Sequence, residues 1–279
     1  MALTQAVLPV AGLGTRFLPW TKVVPKELLP IGNKPIIALL VDECLSVGID
    51  DICIVISRGK EAIAQYFTHS PVLQRELARR GKEHMLSELL RYADVRIHVT
   101  YQNEMKGDGH ALLSAKDWVK EGQVAVLFGD DLVVHDRSGL QQLYDAYLDL
   151  NAQRDTCVLC VQEVDPANIS KYGVIDVDGD WMSVVGASKQ LRLVRGLVEK
   201  PTAEEAPSNL GIVGKYLVPS SIFDTLASIE QGSKDGEIRL IDALMKAHGL
   251  VDIYGCVLEG TRLDTGTPAG YREAVAMLG

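Results

Sequence analysis

The first half of the chain alternates short, apolar runs with segments in which apolar residues recur at helical spacing. Runs of this kind, rich in β-branched residues and bounded by turn residues, are typical of buried strands in a parallel sheet. The pattern predicts strands over 5–10, 51–57, 95–101 and 124–128, and helices over 34–47, 60–67, 73–92 (broken near Gly81) and 109–119. Strands that alternate with helices predict an α/β fold with a mostly parallel sheet and right-handed crossovers.

The second half, after Asp155, contains more strand patterns and fewer helical ones. It predicts strands over 156–164, 173–180, 194–200, 210–218 and 252–259, and helices over 219–229, 238–248 and 268–278. The letters "DVDGD" at 176–180 indicate a hairpin turn. No Pro/Ser/Gly-rich linker and no internal repeat divides the sequence. We therefore expect one domain over 1–279, with a first half over 1–150 and a sheet-rich second half over 151–279.

Composition and charge narrow the class of protein. The formal net charge is −9, from 28 Lys plus Arg against 37 Asp plus Glu, which argues against binding to nucleic acid or to an anionic membrane. The beginning of the chain lacks the pattern of a signal peptide, and the apolar runs are far shorter than the about 20 residues of a membrane-spanning helix. Five cysteines, few and odd in number, fit a reducing cytoplasm, where we expect the protein to be located.

Two of the cysteines, Cys157 and Cys160, have the spacing of a metal or redox pair. They lie on a predicted strand, however, and residues three apart on a strand point to opposite faces of the sheet. We therefore interpret both as buried core residues.

A glycine turn follows the first predicted strand, in "LPVAGLGTRFLPWTKVVPKELLPIGNKP" at 8–35. Because Gly12 and Gly14 have no Cβ, the backbone can turn tightly and its N–H groups can approach a phosphate. Position 17 is Phe17, where both a dinucleotide-binding fingerprint and a P-loop would require glycine, so neither motif is present. The turn alone is equally typical of an ordinary connection between a strand and a helix.

Two cations on the same loop favour a ligand for this turn. An arginine fork and a lysine point charge, Arg16 and Lys26, suit the oxygens of a polyphosphate. Three nearby prolines indicate a stiff, extended loop that holds Lys26 in place. The segment therefore predicts a binding site for a nucleoside triphosphate.

Polar residues also follow several other predicted strands. Gln102 carries an amide suited to the edge of a pyrimidine, and Asp130 with Asp131 provides oxygen ligands for a hard cation. Glu199 and Lys200 end a further strand. Each of these features taken alone is also typical of a solvated loop or strand end.

Taken together, the motifs resemble those of the sugar-nucleotide pyrophosphorylases, and most of all their bacterial UTP–glucose-1-phosphate uridylyltransferase branch. The resemblance begins with "GLGTRFLP…TK…PKELLPIGNKP" and spans nearly the whole chain in order. It continues in "KGDGHA" at 106–111, "FGDD" at 128–131, "YGVI" at 172–175, "VEKP" at 198–201, "APSNLGIVGKY" at 206–216 and "LDTG" at 263–266. The resemblance implies a Rossmann-like, mixed sheet flanked by helices, with a nucleotide-binding first half and a sugar-binding second half.

The resemblance also implies a reaction and a set of site residues. UTP and glucose 1-phosphate would react, with Mg²⁺, to give UDP-glucose and pyrophosphate. The implied catalytic residues are Arg16 and Lys26; the nucleotide-binding residues are Ala11, Gly12, Gly14, Gln102 and Gly107; the sugar-phosphate-binding residues are Asp131, Gly173, Glu199 and Lys200; and the metal ligands are Asp130 and Asp264.

Some alternatives stay open at this point. A glucose-1-phosphate thymidylyltransferase and a non-catalytic, sugar-nucleotide-binding regulatory subunit would share much of the pattern. Asp108 departs from the family, which usually has an apolar residue there; it either caps the next helix or weakens triphosphate binding. The family also implies a homo-oligomer, a dimer or tetramer.

Overall fold

The predicted strands form the centre of a nine-stranded mixed sheet. The computed structural model of the chain describes residues 3–152, 154–177, 191–229 and 236–279. Its strands are β1 (Gln5–Pro9), β2 (Pro30–Ile31), β3 (Lys34–Pro35), β4 (Asp51–Ile56), β5 (Arg96–Tyr101), β6 (Gln123–Leu127), β7 (Asp131–Val134), β8 (Thr156–Glu163), β9 (Gly173–Val177), β10 (Leu191–Glu199), β11 (Leu210–Pro219), β12 (Asp252–Val257) and β13 (Thr261–Asp264). Its helices are α1 (Ile36–Ser46), α2 (Ala62–Tyr66), α3 (Pro71–Arg79), α4 (Leu86–Leu89), α5 (Asp108–Leu113), α6 (Gly139–Leu150), α7 (Ser221–Ala227), α8 (Leu240–Ala247) and α9 (Pro268–Leu278).

The order of the strands joins the two halves of the chain in one sheet. The order is β5-β4-β1-β6-β11-β8-β12-β10-β9, and β5, β4, β1 and β6 are parallel to one another. Strand β11 is antiparallel to both β6 and β8, so a strand of the second half lies next to the first half. The mixed α/β fold is therefore confirmed, but the sheet is only half parallel rather than mostly so: β8 and β12 are also parallel, whereas β10 and β11 are antiparallel to their neighbours.

The apolar runs bury side chains on both faces of the sheet because helices cover both faces. On β1, Ala6 and Leu8 contribute to the core under α1 and α6, whereas Val7 contributes to the core under α5, α7 and α8. This alternation is the period of two expected for a strand. The continuous apolar runs of the sequence thus reflect a sheet between two helical layers.

The cysteines behave as the sequence predicts. All five are free and buried. Cys157 packs in one core and Cys160 in the other, on opposite faces of β8. Burial raises the pKa of Cys53 and of Cys256 to about 12, which keeps these thiols protonated and unreactive.

Several predicted helices are shorter in the structure. Helix α1 begins at Ile36 because Lys34 and Pro35 pair with Pro30 and Ile31 as a small hairpin. It ends before Gly48, whose left-handed backbone (φ 83°) stops it as predicted. Similarly, the helix predicted over 219–229 begins only at Ser221, because Pro219 is the last residue of β11. The predicted helix 73–92 is divided into α3 and α4 around Gly81 (φ 66°).

Helix α6 was not predicted, although Ser138 is a good N-cap whose side chain accepts a hydrogen bond from the Gln141 N–H. The last three residues of the predicted hairpin turn at 176–180 lie outside the described residues; the flanking strands β9 and β10 are antiparallel. Within the described ranges, no helix is long and apolar enough to cross a membrane.

Candidate active site

Two adjoining cavities form a cleft along the strand ends that the sequence marks as polar. The small cavity, of about 290 Å³, lies against the glycine turn and is lined by Ala11, Gly12, Lys26, Gln102 and Gly107, among others. The large cavity, of about 570 Å³, is lined by Arg16, Asp131, Gly173, Glu199, Lys200 and Asp264, among others. Asp108, Phe128 and Asp130 line both. All the predicted site residues except Gly14 therefore lie on this cleft.

Gly14 shapes the turn without lining a cavity. Its backbone is left-handed (φ 65°), a conformation that glycine adopts at little cost. A Cβ at this position would also lie 3.1 Å from Cγ2 of Thr21 and 3.6 Å from Cβ of Lys26. The turn and the loop that carries Lys26 consequently pack together.

A buried lysine that the sequence analysis missed holds this turn in place. Lys60 Nζ donates hydrogen bonds to the carbonyls of Val10 (2.6 Å) and Gly12 (2.7 Å) and to Glu27 Oε2 (2.8 Å). Burial lowers the pKa of Lys60, and the Glu27 carboxylate opposes that shift. Because Glu27 follows Lys26 directly, this ion pair ties the end of β1, the glycine turn and the Lys26 loop into one rigid unit.

Lys26 and Asp130 form an ion pair in the cleft. Lys26 Nζ lies 2.8 Å from Asp130 Oδ2. Burial alone would lower the pKa of Lys26, but the carboxylates of Asp130 and Glu27 outweigh it and raise this pKa. In the same way, burial would raise the pKa of Asp130, but the Lys26 ammonium outweighs it and holds that pKa below its usual range. Both groups are therefore charged at neutral pH.

The second predicted metal ligand reaches Asp130 through a short pair of strands. Strand β13 is antiparallel to β7, with Asp264 opposite Asp131. The Thr265 N–H donates to the Asp130 carbonyl (2.8 Å), which fixes the two segments together. Arg16 Nη1 donates to the nearby Gly266 carbonyl (3.4 Å). Residues from three distant parts of the sequence thus meet around Gly266.

The geometry around Gly266 fits a divalent cation. A Cβ at this glycine would lie 2.7 Å from Asp130 Oδ2 and 2.9 Å from Asp264 Oδ1, and the Gly266 N–H donates to Asp264 Oδ1 (2.9 Å), so both carboxylates approach this glycine and a side chain here would clash with them. The described residues contain no group of three or more His, Cys, Asp or Glu that could hold a metal. Two carboxylates suit Mg²⁺, which usually keeps several waters and takes its other ligands from substrate phosphates.

The predicted base-binding residues occupy the other end of the small cavity. Gln102 is buried, and its Nε2 donates to the Gly107 carbonyl (2.9 Å) and lies 3.2 Å from His110 Nδ1. These two contacts hold the amide in one orientation. Gly107 has φ 95°, and a Cβ there would lie 2.5 Å from the Ile238 carbonyl oxygen. Glycine is therefore required at this position, where its backbone borders the cavity.

The large cavity carries exposed charges at the ends of its strands. Glu199 ends β10, and its Oε1 lies 3.0 Å from Lys200 Nζ. Lys200 has a left-handed backbone (φ 45°), a conformation that is uncommon for a side-chain-bearing residue and turns it away from the strand. Gly173 begins β9 opposite Glu199, and a Cβ there would lie 3.2 Å from Glu199 Oε2.

Asp131 makes mainly internal contacts. Its Oδ1 accepts from Arg262, and its Oδ2 accepts from the Gly214 N–H (2.8 Å). Arg262 Nη1 in turn donates to the Tyr172 hydroxyl (3.0 Å). The sequence analysis missed Arg262 and Tyr172, both of which line the large cavity. These residues lie in the short segments "RLD" and "YGV", but neither segment predicts that the two side chains are in contact. The predicted contact between Asp131 and a sugar stays a prediction.

The fold and this site define a nucleotidyltransferase. A family model described as nucleotidyl transferase matches residues 5–278, and the chain belongs to this family.

Individual proteins that are similar to this chain have names that specify a substrate within the family. The chain is 42% identical to a UTP–glucose-1-phosphate uridylyltransferase of Bacillus subtilis, over 99% of this chain and 89% of that protein. It is 37% identical to a UTP–glucose-1-phosphate uridylyltransferase of Mycoplasma genitalium, over 98% and 90% of the two chains. Among solved structures, a UDP-glucose pyrophosphorylase complexed with UDP-glucose aligns with a TM-score of 0.82 at 32% identity, covering 99% of this chain and 98% of that one. The UTP-bound enzyme of Acinetobacter baumannii aligns with a TM-score of 0.87 at 32% identity, covering 99% and 93%.

Proposed function

We propose that this protein transfers the uridylyl group of UTP to glucose 1-phosphate, producing UDP-glucose and pyrophosphate. The observation that carries the proposal is the meeting of Arg16, Lys26, Asp130 and Asp264 around Gly266, where the two cavities adjoin. The names of the relatives support the choice of UTP and glucose 1-phosphate. The base of UTP occupies the small cavity, beside Gln102, and the sugar occupies the large one.

In the proposed reaction, a phosphate oxygen of glucose 1-phosphate attacks the α-phosphorus of UTP. A new P–O bond forms there as the bond between that phosphorus and the bridging oxygen to the β-phosphate breaks, and the bonding electrons leave with pyrophosphate. The attacking phosphate is already anionic, so no side chain has to act as a covalent nucleophile. Catalysis therefore rests on alignment and on neutralisation of charge.

The cations of the cleft perform that neutralisation. Lys26 stabilises the α-phosphate, for which its ammonium turns from Asp130 toward the substrate. Arg16 binds the leaving pyrophosphate, and Lys200 positions the attacking phosphate. The hydrogen bonds of Lys60 with Glu27 and with the Gly12 carbonyl keep the glycine turn in a fixed position, so that the backbone of the turn can approach the triphosphate.

We further propose that Asp130 and Asp264 bind Mg²⁺. When bound, the ion neutralises phosphate oxygens and helps to orient the triphosphate. The convergence of both carboxylates on Gly266 supports this assignment. Asp130 would hold the ion through its carboxylate, and the Lys26 ammonium, which pairs with that carboxylate in this structure, would contact the α-phosphate.

The test is a pyrophosphate-release assay with UTP and dTTP, each with glucose 1-phosphate or galactose 1-phosphate and Mg²⁺. We expect the highest kcat/KM for UTP with glucose 1-phosphate. A preference for dTTP would identify a thymidylyltransferase. If the protein binds UDP-glucose but releases pyrophosphate with none of these pairs of substrates, it would instead be a non-catalytic subunit.

The organisation of the chain is part of the proposal. We infer one domain over 1–279, with the nucleotide bound by 1–150 and the sugar by 151–279, in a cytoplasmic homo-oligomer. Light scattering coupled to size-exclusion chromatography measures the oligomeric state directly, and a monomer would contradict it.

A further inference from the structure

Asp108 lies on the wall of the cleft but outside the group of residues around Gly266. It is the first residue of α5, and it lines both the small and the large cavity. The residue as a whole is exposed, whereas the next residue, Gly109, is buried. Asp108 therefore borders the cleft where the two cavities join.

The backbone on both sides fixes this carboxylate. Asp108 Oδ1 accepts a hydrogen bond from the Leu240 N–H (2.9 Å), at the first residue of α8. The two helix starts approach closely, since a Cβ at Gly109 would lie 2.8 Å from the Arg239 carbonyl carbon. Asp108 thus satisfies an N–H group at the start of α8, which is remote in sequence, while it also lies in the first turn of its own helix α5. A carboxylate has about four lone-pair sites, so this contact leaves it able to accept further hydrogen bonds.

The charged surroundings of Asp108 belong to the large cavity. Burial by the protein beneath the cleft raises the pKa of Asp108, the Leu240 and Gly109 N–H groups lower it, and the nearby Glu199 carboxylate raises it further. Arg239, whose guanidinium lies 3.9 Å from Glu199, lowers it. Both Glu199 and Arg239 line the large cavity and neither lines the small one.

We propose that Asp108 is a specificity-determining residue that accepts a hydrogen bond from a hydroxyl group of a bound substrate. The inference rests on the proposed function, because that function brings two hydroxyl-bearing substrates to this junction. A carboxylate repels phosphate oxygens but accepts strongly from a hydroxyl, since hydrogen bonds to an ionised acceptor are about twice as strong as neutral ones. The hydroxyl belongs either to the ring of the sugar 1-phosphate or to the ribose of UTP, and the position of Glu199 favours the sugar.

Two substitutions separate this role from the cap of α8. Asp108→Asn keeps an oxygen for the Leu240 N–H and places an amide nitrogen where the second carboxylate oxygen stood. Asp108→Leu removes both acceptors. Asp117→Asn is the matched control, because Asp117 is an exposed acid just after α5 that lines neither cavity; it removes the same charge without altering the cleft.

The experiment measures kcat/KM of each variant with substrates that lack one hydroxyl. One arm uses UTP with glucose 1-phosphate and its 2-, 3-, 4- and 6-deoxy analogues. The other uses glucose 1-phosphate with UTP and 2′-deoxyUTP. In the wild-type protein, loss of the partner hydroxyl should lower kcat/KM about tenfold, equivalent to about 1.4 kcal/mol. In Asp108→Leu, the same deletion should have less than about a twofold effect, because the acceptor is already gone.

The outcomes distinguish the two substrates. If kcat/KM of Asp108→Leu is no longer lowered by one of the deoxy sugars, the hydroxyl belongs to the sugar. If it is no longer lowered by 2′-deoxyUTP, the hydroxyl belongs to the ribose. If both Asp108 variants respond to every analogue as Asp117→Asn does, the inference is overturned while the proposed function stands. If the wild-type protein turns over no pair of substrates, both are overturned.

Discussion

The two cavities of the cleft are built in different ways. The wall of the small cavity is fixed by buried groups: Lys60 and Glu27 have side chains that are 9% and 1% exposed, and Lys60 binds two backbone carbonyls as well. The large cavity also contains a buried pair, Arg262 with Asp131, but its predicted sugar-phosphate ligands Glu199 and Lys200 stand at a strand end, where the Lys200 side chain is 55% exposed. The part of the cleft for which we propose triphosphate binding is therefore anchored in the core, whereas the strand end for which we propose sugar-phosphate binding is exposed.

This contrast predicts how each end responds to mutation. A buried ion pair is costly to break because it leaves an uncompensated charge, whereas an exposed pair contributes about 0–1 kcal/mol. Changes to the buried pair Lys60 and Glu27 should therefore affect folding and catalysis together. Changes to the exposed strand-end charges of the large cavity should affect substrate binding alone.

The largest effect is expected from Lys60→Met. Loss of this ammonium leaves Glu27 charged and buried, and Glu27 Oε1 already has no hydrogen-bond partner within the part of the chain that the structure describes. We expect the free energy of unfolding, measured by urea denaturation, to fall by about 3–5 kcal/mol. The double variant Lys60→Met, Glu27→Met should recover part of this loss, and an equal or larger loss in the double variant would contradict a buried ion pair.

Lys26→Ala should have the next largest effect, on catalysis. Removing a group that stabilises charge in the transition state typically lowers kcat by about 10²–10³, and we expect that range here in the pyrophosphate-release assay. The circular dichroism spectrum should stay that of the folded protein. Lys22→Ala, an exposed lysine on the same loop, serves as control, and activity in Lys26→Ala equal to that of the control would refute the role of Lys26.

Lys200→Gln tests the large cavity. Because the lysine side chain is exposed, we expect no more than about 0.5 kcal/mol change in the free energy of unfolding. The KM for glucose 1-phosphate should rise about tenfold, through loss of one charge-assisted contact, while the KM for UTP changes little. Lys82→Gln, another exposed lysine that lines neither cavity, is the control. A larger effect on UTP than on the sugar phosphate would reverse the assignment of the two cavities.

The smallest effect concerns pH and the ion pair between Lys26 and Asp130. The pKa of Asp130 is lowered in the folded protein, chiefly by Lys26 against the effect of burial. The stability it contributes is therefore present above the unfolded pKa of about 3.9 and is lost as the pH falls through the folded value. The pKa of Lys26 is raised, so its contribution is lost only as the pH rises through that value, above about 10.4.

Asp130→Asn should accordingly show a weaker decline of the free energy of unfolding below about pH 4, by about 1 kcal/mol or less, because the pair is partly exposed. Urea denaturation across pH 2–7 measures this difference. A steeper acid decline in the variant than in the wild-type protein would contradict the pair.

Much of this arrangement follows from local sequence patterns. The strands of the first half are continuous apolar runs rich in β-branched residues, and such a pattern is typical of a sheet covered on both faces. Polar residues that closely follow those runs, such as Gln102 after β5 and Asp130 after β6, fall on the cleft because parallel strands bring their ends to one edge. Local chemistry also predicts that Gly48 ends α1.

The rest depends on pairings between distant segments. No local signal places β11 between β6 and β8, or β13 beside β7 so that Asp264 reaches Asp130. Lys60 follows an ordinary strand and turn, and its role arises only because it lies beneath a turn 48 residues earlier. Nothing in the short strand that contains Arg262 predicts its contact with Asp131, which depends on the pairing of β13 with β7.

The most direct test of the account is whether both substrates must be present together. Initial rates of pyrophosphate release should be measured with UTP and glucose 1-phosphate varied against each other, alongside exchange of labelled pyrophosphate into UTP without sugar phosphate. Because the proposed function places the two substrates in adjoining cavities for direct transfer, it predicts intersecting double-reciprocal lines and no exchange. Parallel lines, with rapid exchange in the absence of glucose 1-phosphate, would show a covalent uridylyl-protein intermediate and contradict it.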